Sequence, residues 1–139
     1  MSYQAPILEL AARGVMLTQP EETADEVGVN LIELFARVEY DRELLQDMYG
    51  IFVEEFPKLY ELLHAAVVTS DFEQIQTNAH TLKGMLASLS FRKASATAMR
   101  IEKMAQLCDL TGVPAEVQLL ERDALLAGNS LEKFCAQAS

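Results

Sequence analysis

Between Asp71 and Phe91 the apolar residues Phe72, Ile75, Ala79, Leu82, Leu86 and Leu89 recur at alternating intervals of three and four. That alternation predicts an amphipathic helix with one face turned to a core. Asp71, with Gln74 three residues on, is placed to cap it. Asn30 followed by Glu33 predicts the start of an earlier helix, in the manner of a capping box, running to about Tyr40. Asp41 caps a second helix, whose inner face is expected to carry Leu44, Leu45, Met48, Ile51, Phe52, Phe56, Leu59 and Leu63. Pro57 falls inside that pattern and is expected to bend or break the helix, because it lacks an N–H and its ring clashes with the preceding turn.

Thr69-Ser70-Asp71 reads as the turn into the central helix. The next helix is predicted from Lys93 to about Leu110, through Ala94, Ala98, Ile101, Met104, Ala105 and Cys108, with Gly112 as its stop. Pro114 suits the first turn of the last helix. Val117, Leu120 and Leu125 are assigned to the inner face of that helix, and Gly128-Asn129 to an interruption before Leu131 and Phe134. No β-type alternation or internal repeat is present. The predicted fold is all-α: an antiparallel up-and-down four-helix bundle over residues 30–139, with short extra helical pieces at the N-terminus. Residues 1–29 read as a leader, with a short helix expected over Pro6–Arg13 and an acidic linker from Gln19 to Gly28.

At about 100° per residue, His80 lies well away from the middle of the apolar seam, on the side of Gln76, Lys83, Gly84 and Ala87. A neutral imidazole has an ordinary pKa of about 6.5 and is a good nucleophile near neutrality. On a rigid helix it can attack a phosphoryl group, hold it covalently and pass it on. Lys83, one turn away, can offer a cation to phosphoryl oxygens. Gly84 costs the helix about 1 kcal/mol relative to alanine, and close approach by another surface accounts for that cost. The plainer alternative is a surface histidine beside a surface lysine.

Ala79-His80-Thr81-Leu82-Lys83-Gly84, followed by Leu89, resembles the phosphorylation motif of histidine-containing phosphotransfer (HPt) domains. Leu31, Leu34, Arg37-Val38 and Asp41-Arg42-Glu43-Leu44-Leu45 resemble the opening of HPt domains attached to hybrid sensor kinases. Phe52, Phe56, Leu59, Leu63 and Asp71 fit that family's second helix and following turn, and Ile101-Glu102 matches its apolar–glutamate pair. The resemblance spans roughly Asn30 to Phe134. Ser90 departs from it, standing where the family usually has glycine.

The resemblance implies a phosphorelay intermediate in two-component signalling. It would accept a phosphoryl group from a receiver-domain aspartate onto His80, on Nε2, and pass it to another receiver. Lys83 would stabilise the phosphoryl group, and Gln76, Gly84 and Ala87 would form the docking surface. The implied partners are response-regulator receiver domains and a hybrid sensor histidine kinase. Any Mg²⁺ would sit on the receiver, with no cofactor in this chain. A helical interaction module that is not phosphorylated is the alternative.

Composition narrows the remaining classes. A chain of 139 residues with net charge -10 is one acidic domain, and nucleic acid is not an expected partner. Five cations (Lys83, Arg92, Lys93, Arg100 and Lys103) face one carboxylate, Glu102, between positions 83 and 103. That basic island suits a partner with an acidic, metal-binding pocket, although the same charges could simply solvate one helix face. No run approaches the ~18 apolar residues of a membrane span, and no secretory signal pattern precedes Met16. A monomer in the cytoplasm is expected, with Cys108 and Cys135 as free thiols and a single disulfide as the alternative. Glu61 and His64 form one Glu-x-x-His motif, but a di-metal bundle needs two. No glycine-rich nucleotide loop or kinase motif is present, so ATP binding and kinase catalysis are not expected.

Overall fold

A computed structural model of the chain describes residues 28–138. The expected helix over Pro6–Arg13, and the linker as far as residue 27, lie outside the described residues. Five helices follow: α1 Leu31–Arg37, α2 Arg42–Val68, α3 Phe72–Ser88, α4 Arg92–Gln106 and α5 Val113–Ala138. Asn30, Asp41 and Asp71 cap the first three. Their side-chain oxygens accept from the N–H groups of Glu33, Leu44 and Gln74 at 3.0, 3.0 and 3.1 Å. Glu33 does not return the bond to Asn30. Its carboxylate pairs with Arg92 of α4 instead.

Helices α2 to α5 each pack on their neighbours in sequence, and α2 closes onto α5, giving the four-helix bundle. The centre is filled by Leu63, Ile75, Leu82, Leu86, Ile101, Leu120 and Leu131. Short α1 closes one end. Phe35, fully buried, sets its ring edge-on to Phe134 of α5, with centroids 5.4 Å apart. Val29 forms an isolated antiparallel bridge with Phe91, tying the entry of the chain to the α3–α4 turn.

Several expected boundaries are corrected. Helix α1 stops at Arg37 rather than Tyr40, and α4 stops at Gln106 rather than Leu110. At each end the chain closes a Schellman motif, in which two N–H groups past the helix satisfy its last carbonyls. After α4, Cys108 N–H bonds Ala105 O at 3.0 Å and Asp109 N–H bonds Met104 O at 2.9 Å. The α2 and α3 ends close in the same way, and the left-handed residues at the four closures are Glu39, Tyr40, Ser70, Ser90 and Cys108, with φ between 54° and 60°. None of them is glycine, so no glycine marks the stop. Cys108 therefore faces solvent rather than the inner face.

Pro57 does not break α2, which runs unbroken through it. Buried Phe52, Phe56 and Leu63 hold the helix on both sides of it. The carbonyl that loses its donor belongs to Val53, itself exposed, where water can take the donor's place. Gly128-Asn129 does not interrupt α5 either. A Cβ on Gly128 would stand 2.6 Å from Cε2 of Phe52, so the glycine lets α5 meet the Phe52 ring. Leu44, Ile51 and Leu125, assigned to inner faces, are exposed, and Ala124 rather than Leu125 is buried on α5.

Candidate functional site

The seam of α3 is buried at Ile75, Ala79, Leu82 and Leu86. His80, Gly84 and Ala87 are exposed on the other side, with Gln76 and Lys83 half-buried beside them. The five residues expected at the site thus share one face. Among the described residues a Cβ on Gly84 would meet nothing within 4 Å, so space among them does not require the glycine. Gly50 of α2 is equally open. What distinguishes Gly84 is its place one turn from His80.

The residue whose site role the sequence left unassigned is Glu102. It lies on the packed face of α4 among Ala98, Ile101 and Ala105. From there its carboxylate reaches across to α3. One oxygen, Oε2, lies 2.9 Å from His80 Nδ1, and the other, Oε1, accepts from Lys83 Nζ at 2.8 Å. The side chains of His80, Lys83 and Glu102 are 65%, 29% and 11% exposed. A nearly buried acid therefore anchors a half-buried lysine and an open imidazole. Ser95 reinforces the junction by donating to the Lys83 carbonyl at 3.2 Å.

The hydrogen bond from Lys83, with that from His80, holds the Glu102 carboxyl below its usual value of 4.5, against the opposing effect of burial. An ionised carboxylate can only accept hydrogen bonds. Nδ1 of His80 must therefore be the donor. In a neutral ring, that is the tautomer whose Nε2 bears the free lone pair. Among the described residues nothing hydrogen-bonds Nε2. A nitrogen with a free lone pair is what nucleophilic attack requires.

The basic island is partly cancelled. Lys83 is paired with Glu102, Arg92 with Glu33, and Arg100 with Glu116 at 3.0 Å. His64, the other histidine, is exposed and tilts its ring against Tyr60, with centroids 6.3 Å apart. No cluster of three or more His, Cys, Asp or Glu that could hold a metal occurs among the described residues. No helix there is long and apolar enough to cross a membrane.

Ser90 resolves the departure noted at the end of α3. It takes φ 58°, the conformation a glycine would supply, and is buried. Its hydroxyl accepts from Arg37 Nη1 at 2.6 Å, which ties α1 to the α3–α4 turn.

No curated protein and no solved structure matches the chain. A family model described as Hpt domain matches residues 47–137, about two thirds of the chain, from the first turns of α2 to the end of α5. Hpt domains are phosphotransfer modules of two-component signalling that work with receiver domains and lack kinase machinery. The helical bundle and the matched span agree, and the chain belongs to the Hpt domain family.

Proposed function

We propose that this protein is a phosphorelay intermediate in which His80 Nε2 accepts a phosphoryl group from a receiver-domain aspartate and passes it to another receiver. The observation that carries this is the clamp of Glu102 on Nδ1 at 2.9 Å, which in a neutral ring keeps the proton on Nδ1 and the lone pair on Nε2. In the forward step the Nε2 lone pair forms a bond to phosphorus. The bond from phosphorus to the aspartyl oxygen breaks, and the aspartate leaves as a carboxylate with the bonding pair. The ring still holds its proton on Nδ1 and is now cationic. Glu102, an anion at hydrogen-bond distance, stabilises that charge.

Lys83 shares the Glu102 carboxylate, so it stands beside the reacting ring without being free in the resting state. Its proposed role is to turn part of its charge to the phosphoryl oxygens once they arrive. Gln76, Gly84 and Ala87 form the surface on which the receiver sits, and any Mg²⁺ belongs to the receiver's acidic pocket. The test is His80→Gln, offered a phosphorylated receiver. It should keep the wild-type melting curve and take up no acid-labile phosphate. If it is still labelled, or if His64→Gln is the variant that fails, the assignment is wrong.

A further inference from the structure

Two turns along α3 from His80, the exposed face runs into a cavity of about 330 Å³ between α1, α3 and α4. Ala87, Ala96 and Met99 give it an apolar floor, and Arg37, Arg92 and Glu33 form its charged wall. The wall is held in place. Arg37 bonds the Ser90 hydroxyl and, at 3.4 Å, the Ala87 carbonyl, while Arg92 pairs with Glu33. Two guanidiniums against one carboxylate leave one positive charge. Among the described residues Arg37 meets neutral oxygens and no carboxylate. That excess stands out on a chain of net charge -10.

Seven residues of helix place Ala87 about 10 Å from His80 along the axis. A standard protein interface covers about 800 Å² per partner, a patch reaching about 16 Å from its centre. A receiver centred on His80 therefore covers the cavity. We propose that this cavity is the specificity-determining part of the receiver contact, and that it takes an apolar receiver side chain flanked by a carboxylate. The proposal rests on the phosphorelay reading above and adds to it the feature by which one receiver is preferred over another. The apolar floor supplies the anchor and the excess positive charge selects the acidic neighbour.

The test uses whichever phosphorylated receiver, from a panel, transfers fastest to the wild-type chain. Ala96→Phe fills the cavity from the half-buried face of α4. It should raise the apparent KM for that receiver about tenfold, as loss of an anchor does. Transfer at saturating receiver and labelling of His80 by phosphoramidate should stay at wild-type rates. Glu33→Gln releases Arg92 and should lower the apparent KM about two- to fivefold at low ionic strength. That gain should disappear near 1 M salt.

An unchanged KM in Ala96→Phe puts the cavity outside the footprint and overturns the proposal. So does an equal loss with phosphoramidate, because the variant would then act on His80 itself. A KM that is unchanged or raised in Glu33→Gln overturns the acidic neighbour. If no receiver phosphorylates the wild-type chain, the phosphorelay reading fails first and the cavity proposal falls with it. That outcome is read from the wild type, before any variant is compared.

Discussion

Glutamine at position 102 keeps the size of the side chain and deletes its charge, and the geometry makes the consequence specific. Glu102 accepts from two donors, Lys83 Nζ at 2.8 Å and His80 Nδ1 at 2.9 Å, through different oxygens. An amide has one accepting oxygen and one donating NH₂. When Lys83 keeps the oxygen, the NH₂ faces Nδ1, which must then accept. The ring proton moves to Nε2, and the exposed lone pair is lost. A charge-assisted hydrogen bond contributes about 1.5–3 kcal/mol. The His80 ring is 65% exposed, which favours the low end. About 1.4 kcal/mol is a factor of ten in rate.

Glu102→Gln should therefore slow labelling of His80 about tenfold, equally with phosphoramidate and with a phosphorylated receiver. The assay is the initial rate of acid-labile phosphate uptake with each donor, beside a melting curve. An unchanged rate in a folded variant would refute the role given to Glu102. The same carboxylate carries a stability signature. Its pKa is lowered on folding, so its contribution is present above the ordinary value of 4.5 and is lost as the pH falls through the folded value. The stability gap between wild type and Glu102→Gln should close as acid is added below pH 4.5.

Gly84→Gln should keep helicity and melting at or slightly above wild type, because glutamine has the better helix propensity and a Cβ there meets nothing within 4 Å among the described residues. Receiver-driven labelling of His80 should drop sharply, while phosphoramidate labelling survives; equal losses would remove Gly84 from docking. Gly128→Ala should lower stability by about 1–3 kcal/mol in denaturant melts, because its Cβ would press on Phe52, which packs on Phe56 and Phe91. A stabilised variant would show that α2 and α5 can separate at no cost.

The helical faces were legible because burial imposes a period, and Ile75, Ala79, Leu82 and Leu86 keep it without exception. Helix ends were less so. Ser70, Ser90 and Cys108 close Schellman motifs in a conformation usually marked by glycine, and nothing in their side chains announces it. Pro57 and Gly128 were misleading for the opposite reason. Each is a local breaker, overridden by packing that the sequence does not display. At the site, the face bearing His80, Lys83 and Gly84 follows from helix geometry alone. The Glu102 clamp joins residues 22 apart on two helices, and the Arg37–Ser90 tie spans 53. Those pairings depend on how the bundle packs. The one local signal for Glu102 is a charge set among Ala98, Ile101 and Ala105, on a face otherwise buried.

The most direct test of the central claim locates the phosphoryl group by atom. The chain would be incubated with a phosphorylated receiver and Mg²⁺, then examined by phosphorus and nitrogen NMR alongside peptide mapping under alkaline conditions. One phosphohistidine is predicted, at His80, bonded through Nε2 with the proton retained on Nδ1. A phosphoryl group on Nδ1, on His64, or on no histidine at all would contradict it.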